Sequence, residues 1–504
     1  MNREPYAVLA ARGTFYLWLQ TIIASIARAA AFVVFARLIS VEQMGVYTIL
    51  TLANAAASTL MGLGLSSVVI KFVAESRAKG DGVGAASVYY CGLLLSELAS
   101  ILIAVAFLLS KFPAGVSRLP NSPEVSLIGI LFAVDVVASI GPIGGAAFYG
   151  LLEFRAFAIL YAIYACLRPW LVVFLVYEVR SLVGLMDGWV VADAAFAACL
   201  FFYLWRKLGP PVFRFDMKYL LKLSSPLYMA GIASLLYNTF DQLTLIPLVS
   251  LSALGVYGAV VTAFNAYGSL TSAFGSVLLP IYSGLHGIRG LEALEDAVRH
   301  ATRYVCIIDM PVAFALLAAA RPALTLLVGN RYAPGALPLE ILALGSAASI
   351  ISLSLGPILI VQNETLLASL TSLIPLPLSI GLALISIPPL GILGASIARS
   401  LSMLLSLVLT WYFLRGKIVL RLDYGSIAKS ILASGVMALV MEAVQVLYYS
   451  RFLLPLYLAV GFVVYILTLR TLRAMRPGDI DLFRQILGPR FNRICDLLSR
   501  IIIE

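Results

Sequence analysis

Long apolar runs, separated by short polar links, fill almost the whole chain. A helix needs roughly 20 consecutive apolar residues to cross a bilayer, and fourteen of these runs reach about that length. None alternates strictly between apolar and polar positions, as a barrel strand does. Because only helices and closed barrels satisfy backbone hydrogen bonds inside lipid, the pattern predicts an all-α polytopic membrane protein. We place its spans at 15–38, 47–71, 85–109, 125–149, 157–178, 183–205, 223–247, 254–282, 304–327, 338–361, 366–389, 391–414, 428–448 and 452–471.

Composition supports a membrane protein and argues against an enzyme. Apolar residues make up 62% of the chain and charged residues 12%, whereas soluble proteins carry roughly 25% charged residues. The cysteines form no CxxC pair and the histidines no HExxH motif, so neither a disulfide framework nor a metal site is indicated. The sequence also lacks a GxxxxGK[ST] phosphate loop and a GxSxG elbow. We expect no catalytic residue, no nucleic-acid partner, and no cofactor other than a coupling cation or proton.

Basic residues are distributed unevenly among the predicted links. If the N-terminus is cytoplasmic, most of the 35 Lys and Arg residues face the cytoplasm, as the positive-inside rule requires. The largest basic clusters then lie on that side, at 206–222, at 415–429 and from 470 onward. We predict a multi-pass protein of the cell membrane with both termini in the cytoplasm. The tail 473–504 suits an amphipathic helix on the inner leaflet, although a solvated basic face explains it equally well.

A repeat links the two halves of the chain. The tripeptide GVY at 45–47 recurs at 255–257, and the pattern Thr-x-x-Asn-x-x-x-Ser at 51–58 recurs at 262–269. Duplication at a fixed interval predicts two six-helix lobes of the same orientation, related by an axis along the membrane normal. We assign these lobes to 1–222 and 223–415, followed by two further helices at 416–472 and the tail at 473–504.

Polar residues at helical spacing form stripes on single faces of several predicted helices. One stripe holds Asn54, a second holds Asn238 and Asp241, and a third holds Asn265. Polar faces inside a membrane meet protein or a water-filled cavity, so facing stripes would line a cavity between the lobes. The alternative is that these residues form hydrogen bonds between helices, but their repetition in both halves favours a cavity.

Charged residues inside the predicted spans point more directly to function. Arg28 and Arg168 lie near the middle of their helices, where an arginine costs at least roughly 2.5–3.5 kcal/mol. A guanidinium facing a cavity fits an anionic cargo, since its fork matches phosphate oxygens. A cavity-facing carboxylate fits a cation or a coupling proton, and our candidates are Asp241 and Asp135. Structural ion pairs are the alternative, because carboxylates also fall within the spans at Glu97, Asp135, Asp193, Asp241 and Glu442.

Several motifs follow one another in a distinctive order. They are RLISVEQMGVY at 37–47, GLG at 62–64, KGD at 79–81, GNRYAPGA at 329–336 and IPPLGILGAS at 387–396. In this order and spacing they resemble the polysaccharide-synthesis branch of the multidrug/oligosaccharidyl-lipid/polysaccharide exporter superfamily. The resemblance covers nearly the whole chain.

This resemblance implies a flippase that moves a polyprenyl-(pyro)phosphate-linked oligosaccharide to the outer leaflet by alternating access, for surface polysaccharide or glycan assembly. It implies that Arg28, with Arg168 second, contacts the phosphate or an acidic sugar. Asn54, Asn238 and Asn265 would meet the glycan, and glycan-assembly enzymes would be partners.

Two other functions stay open at this point. One is an ion-coupled multidrug extruder of the same superfamily, which would use Asp241 or Asp135 to couple ions to a cationic drug. Those relatives usually have twelve helices, fewer than predicted here. The other is a membrane scaffold for a glycan-assembly complex.

Overall fold

The computed structural model describes residues 6–109, 123–420 and 422–473, and their side chains except at 6–18, 123, 125, 270, 272–277, 280 and 286–289. Every regular element in these ranges is a helix, so the predicted all-α class is confirmed. The prediction for the tail 473–504 lies outside the described residues, apart from Arg473.

The chain divides into two compact units. The first comprises Met1–Thr239 and Ser250–Gly255, and the second comprises Phe240–Val249 and Val256–Glu504. Eight helices lie wholly in the first unit: α1 Tyr6–Leu38, α2 Val41–Gly62, α3 Leu65–Ala78, α4 Gly82–Leu109, α5 Pro123–Ala138, α6 Gly141–Gly150, α7 Phe154–Val179 and α8 Leu182–Leu208.

Two long helices run from the first unit into the second, α9 Met217–Leu248 and α10 Leu251–Ala318. The helix α10 contains a break at Gly290, whose φ is 76°. Two short 3₁₀ turns, Asn330–Gly335 and Arg451–Leu453, also belong to the second unit. The remaining helices of this unit are α11 Ala320–Leu327, α12 Ala336–Ser349, α13 Ser352–Val361, α14 Thr365–Leu373, α15 Pro375–Leu390, α16 Ile392–Leu414, α17 Tyr424–Leu447 and α18 Leu454–Thr471.

Within the described residues, twelve helical segments are long and apolar enough to cross a membrane. A pair bent by 49° at its break, Asn330–Ser349 with Ser352–Val361, adds a thirteenth. The predicted number of fourteen is close to this count. The remaining predicted span, 254–282, is helical within α10, where several side chains are not described. The predicted boundary between the spans 366–389 and 391–414 is confirmed at Gly391, whose φ of 56° ends α15.

The predicted span 47–71 is not one helix but two, α2 and α3. Leu63 and Gly64 have φ values of 47° and 66°, a left-handed conformation that an α-helix cannot continue through. A side chain at Gly64 would also meet the backbone of α9, since its Cβ would lie 2.6 Å from Tyr228 N and 2.7 Å from Ser224 O. Gly64 therefore permits both the turn between α2 and α3 and the close approach of α9.

Helix caps repeat the duplication seen in the sequence. Ser40 caps α2 through a capping box, in which its Oγ accepts a hydrogen bond from Gln43 N at 3.1 Å and its own N–H donates to the Gln43 side chain at 2.8 Å. At the equivalent position 210 residues later, Ser250 Oγ accepts from Ala253 N at 3.2 Å.

An ion pair is also repeated, once in each unit. Glu153 precedes α7 and binds Lys207 near the end of α8, with 2.7 Å between Oε1 and Nζ. Glu364 precedes α14 and binds Lys417, just beyond the end of α16. Both glutamates follow a residue with positive φ, Leu152 at 57° and Asn363 at 62°. The two units therefore build the same helix–turn–helix joint from duplicated sequence.

The repeated GVY tripeptides mark a close helix contact in the first unit. A Cβ on Gly45 would lie 2.2 Å from Leu251 O, and a Cβ on Gly255 would lie 2.0 Å from Val41 O. Positions 41 and 251, like 45 and 255, are equivalent in the repeat. The N-terminal ends of α2 and α10 thus pack backbone to backbone, and each contributes one glycine to a reciprocal contact.

We expect Gly45→Ala to lower the free energy of unfolding by about 1–3 kcal/mol, because the new methyl group overpacks a contact made of backbone atoms. Thermal unfolding of the detergent-purified protein measures the effect. Gly62→Ala is the matched control on the same helix, since a Cβ there meets nothing within 4 Å. Equal melting temperatures for the two variants would show that the close approach is not maintained.

Candidate functional site

A polar cavity of about 430 Å³ lies inside the first unit, among α2, α3, α6, α7 and α8. Gly141, Gly145 and Ala146 of α6 are small residues in its wall, which leaves room for the cavity. The other lining residues combine two charges, an amide, hydroxyls, aromatic rings and a few apolar groups. The polar and aromatic ones are Asn54, Ser58, Ser66, Ser139, Tyr149, Phe157, Tyr161, Tyr164, Arg168, Asp193 and Phe196.

One face of α7 supplies much of this wall. Phe157, Tyr161, Tyr164 and Arg168 follow one another at steps of four, three and four residues, which places them on one helical face. The stripe begins near the first turn of α7 and ends at Arg168, near the middle of the helix. This face of α7 therefore changes from aromatic residues near the start of the helix to a charged residue near its middle.

The charged end of the stripe is an ion pair between helices. Arg168 Nε lies 2.9 Å from Asp193 Oδ1 on α8, although the N–H does not point at that oxygen as a hydrogen bond requires. Tyr164 donates a hydrogen bond of 2.7 Å to the same oxygen. The Arg168 guanidinium also lies over the ring of Trp189, 4.7 Å from its centroid. Trp189 and Asp193 are four residues apart on α8, so one helical face holds both partners of Arg168.

Asp135 on α5 adds a second carboxylate behind the cavity wall. It is 1% exposed, and its Oδ2 accepts a 3.1 Å hydrogen bond from the Asn54 amide. Its Oδ1 has no hydrogen-bond partner among the described residues. Asp193 and Arg168 are both close enough to interact with it electrostatically.

This cluster contains two carboxyl groups and one guanidinium. If both carboxyl groups are ionised, Asp135 and Asp193 share the single positive charge of Arg168. A buried carboxylate without full compensation is costly, and two carboxylates at one site favour uptake of a proton or a cation. The arrangement can therefore bind and release one positive charge within the membrane-spanning region.

Asp241 in the second unit has a different environment, in which its charge is balanced. Both of its oxygens accept hydrogen bonds from Arg399 Nη1 of α16, at 3.0 and 2.9 Å. The Tyr257 hydroxyl donates to Oδ2 at 2.7 Å. Asp241 is 0% exposed and Arg399 7%. This geometry is that of a buried ion pair, with one guanidinium for one carboxylate.

The other predicted site residues lie apart from the cavity wall. Arg28 is exposed on α1, and Nε donates a 3.2 Å hydrogen bond to Ala24 O of the same helix. No ion pair joins it to any residue that the structure describes. Asn238 is exposed and donates to Ser234 O of its own helix at 2.8 Å. Asn265 is exposed as well.

The structure thus brings together Asn54, Asp135 and Arg168 from the sequence candidates. Sequence reasoning named Asp193 only as an ion-pair partner, and it missed the aromatic residues of the cavity. One signal was present, since Phe157, Tyr161, Tyr164 and Arg168 share one face in the sequence. Aromatic stripes on apolar helices usually indicate core packing, so the spacing alone carried little weight.

The sequence model of one protein family matches residues 34–336, which include the cavity and both GVY contacts. That family is described as "Polysaccharide biosynthesis protein". Among curated proteins, none matches the chain.

Solved structures with the same fold include proteins described as a flippase and as transporters. An inward closed conformation of the lipid II flippase MurJ aligns with a TM-score of 0.71 at 13% identity, over 95% of this chain and 100% of that one. An inward-facing multidrug resistance transporter of the MATE family and MOP superfamily aligns with a TM-score of 0.60 at 14% identity, over 79% and 94%. A MOP superfamily transporter from Pyrococcus furiosus, whose binding pocket is described as having reversed polarity, aligns with a TM-score of 0.55 at 14% identity, over 80% and 95%. At these identities the similarity establishes a shared fold.

Proposed function

Because this chain belongs to the family of polysaccharide biosynthesis proteins, we propose that it is a flippase for lipid-linked oligosaccharides. It would move a polyprenyl-(pyro)phosphate-linked glycan from the cytoplasmic to the outer leaflet of the cell membrane by alternating access. Both termini would be cytoplasmic, and the product would serve surface polysaccharide or glycan assembly.

The observation that carries this proposal is a polar cavity inside an apolar helical unit. A glycan headgroup cannot cross hydrocarbon alone, because its hydroxyls would lose their hydrogen bonds to water. The cavity of the first unit offers hydroxyls, an amide and aromatic rings within a bundle of membrane-length helices. The fold of MurJ, which is described as a lipid II flippase, supports the same class of function.

In this proposal, different residues contact different parts of the substrate. Arg28 would contact the phosphate, since its exposed guanidinium is bound only to a carbonyl of its own helix in the described part of the chain. Asn54 and Arg168 would meet the glycan at the cavity, and Asn238 and Asn265 would contact it elsewhere along its path. Asp193 restrains Arg168 as an ion pair, so we place the phosphate at Arg28.

Ion coupling would depend on Asp135. The charge of Asp241 is matched by Arg399, whereas Asp135 shares Arg168 with Asp193 and has an oxygen without a donor among the described residues. A proton or a monovalent cation arriving at Asp135 would neutralise the excess charge. Membrane potential or an ion gradient would then bias the transport cycle through this residue.

We expect Arg28→Ala to slow flipping by about tenfold or more, because hydrogen bonds to a charged group contribute about 1.5–3 kcal/mol. Proteoliposomes containing a fluorescent lipid-linked oligosaccharide measure the rate as accessibility of the label from outside. Arg28→Lys should keep part of the activity, since it retains the charge but not the fork. If Arg28→Ala inserts into the membrane normally and flips at the wild-type rate, Arg28 does not contact the phosphate.

An ion-coupled multidrug extruder is the second candidate, favoured by the fold shared with the MATE transporter. The same proteoliposomes, loaded with a cationic dye instead of the glycolipid, test it. Dye efflux without glycolipid movement would contradict the flippase function and support the multidrug extruder. Movement of neither substrate, together with glycosyltransferases that copurify with the protein, would favour a scaffold role for glycan-assembly enzymes.

A further inference from the structure

The aromatic residues of the cavity form a continuous wall. The rings of Phe157 and Tyr161 lie 5.7 Å apart between centroids, and those of Tyr161 and Tyr164 lie 5.8 Å apart. Tyr164 is stacked on Phe196 of α8 at 4.2 Å, with 17° between the ring planes. Tyr149 of α6 meets Phe157 at 5.3 Å. The rings along α7 are therefore almost evenly spaced. Aromatic residues of α6 and α8 pack against them.

Hydroxyl groups with unused hydrogen-bonding capacity face the same space. Five lining residues have hydroxyls that make no hydrogen bond to any part of the chain that the structure describes, namely Ser58, Ser66, Ser139, Tyr149 and Tyr161. All five residues are partly exposed, in contrast to the fully buried serines of the helix packing. A polar group in a membrane protein needs a partner, so these hydroxyls are suited to bind water or a ligand rich in hydroxyls.

The charged groups of the cavity are largely occupied by one another. Asp193 Oδ1 accepts from Tyr164 and is paired with Arg168. Asp135 does not line the cavity, and Asn54 covers one of its oxygens. A phosphate would meet the carboxylate of Asp193, and an organic cation in the cavity would find that carboxylate already paired with Arg168, since Asp135 does not line the cavity. The free recognition groups are therefore neutral hydroxyls and aromatic faces.

We propose that this cavity is a binding subsite for a neutral sugar ring of the transported glycan, with Tyr161 as its central stacking platform. The proposal rests on the flippase function proposed above and names the part of the substrate that this unit binds. A pyranose has C–H faces that pack on aromatic rings and an equator of hydroxyls, which matches both features of the wall. The cavity of about 430 Å³ falls within the range of about 300–1,000 Å³ of small-molecule sites, enough for a short saccharide segment.

The order of the rings along α7 also suggests a direction in which a sugar could move through the cavity. The three rings of the stripe, at 157, 161 and 164, lead from the first turn of α7 towards its middle, where Arg168 follows them. A sugar can move from one ring to the next while keeping contact with an aromatic face. Arg168 and Asp193 at the far end offer hydrogen-bonding groups that can meet sugar hydroxyls without requiring a charged substrate.

Saturation-transfer NMR with methyl glycosides of glucose, galactose, mannose and N-acetylglucosamine tests the proposal on the purified full-length protein in detergent. We expect transfer to the C–H protons of at least one glycoside, and roughly tenfold weaker binding in Tyr161→Ala, since aromatic contacts contribute up to about 1.5 kcal/mol. Tyr161→Phe should keep most of the binding because it retains the ring. Tyr177→Ala is the matched control on α7, since Tyr177 is 60% exposed on the outside of the unit.

Several outcomes would overturn the subsite. They are the absence of transfer from the wild-type protein to all four glycosides, equal binding by Tyr161→Ala and Tyr177→Ala, and binding of tetraphenylphosphonium instead of sugars. The melting temperature of each variant shows whether it still folds. If Tyr161→Ala does not fold, the binding measured with Tyr161→Phe tests the subsite, because this variant preserves the packing. Wild-type flipping in proteoliposomes is measured separately. Flipping without sugar binding refutes the subsite alone, and sugar binding without flipping refutes the flippase function.

Discussion

Asp241→Ala is expected to lower the free energy of unfolding by about 3–5 kcal/mol, the cost of leaving a buried charge without its partner. Arg399 would keep its guanidinium at a position that is 7% exposed. The hydroxyl of Tyr257, which donates to Asp241 Oδ2 at 2.7 Å, would lose its acceptor as well. Thermal unfolding of the detergent-purified protein measures the loss.

The double variant Asp241→Leu with Arg399→Met separates an ion pair from other roles. Replacing both charges by apolar groups of similar size is often neutral or stabilising, so we expect the double variant to recover most of the stability lost in Asp241→Ala. The control is Glu364→Ala in the same unit, where a partly exposed pair with Lys417 contributes at most about 1 kcal/mol. If Asp241→Ala melts like the wild type, the pair is not buried as the structure has it.

Hydropathy predicted nearly all of the helices, because apolar runs of membrane length have few alternatives to a helix. The break between α2 and α3 was missed for a local reason. Gly62-Leu63-Gly64 interrupts an otherwise continuous apolar run, and apolarity says nothing about the left-handed φ of Leu63 and Gly64. Glycines on both sides of a leucine were the available signal.

The candidate site was predicted only in part, because contacts between helices distant in sequence have no periodic signature. Asn54 and Asp135 are 81 residues apart and form one hydrogen bond. Asp241 and Arg399 are 158 residues apart and form an ion pair. The sequence marked Asn54, Asp135 and Asp241 as unusual in a membrane helix, but it did not say which of them would be paired. That pairing decides which carboxylate is balanced and which remains a candidate for coupling.

The two candidates for coupling differ although the chain is duplicated. The repeat preserved the helix caps at Ser40 and Ser250 and one Glu–Lys joint in each unit. The buried carboxylates do not follow it, since Asp241 faces one arginine while Asp135 and Asp193 share another. The two units thus share helix caps and joints but differ in the balance of their buried charges. This difference makes the first unit the better candidate for a titrating or cation-binding element.

Asp135→Asn is expected to abolish the response of transport to an ion gradient while leaving the fold intact. The substitution keeps the shape of the side chain, and the amide can still pair with Asn54, so the packing of α5 on α2 need not change. It removes the negative charge that a proton or a cation would neutralise. Coupling energies of about 1–3 kcal/mol correspond to roughly 5-fold to 150-fold effects, and we expect gradient-driven flipping to fall by about tenfold.

Proteoliposomes with imposed proton, sodium or potassium gradients measure this response. Wild-type flipping should rise with one of the three gradients, and Asp135→Asn should flip at the same low rate with and without it. Glu178→Gln is the control for charge removal, because Glu178 is exposed near the end of α7.

Asp193→Asn should weaken the response less, since it also relieves the excess negative charge but leaves Asp135 and Arg168 to compensate each other. An undiminished response in Asp135→Asn would assign coupling to another residue, and a response lost in Asp241→Asn alone would transfer it to the second unit.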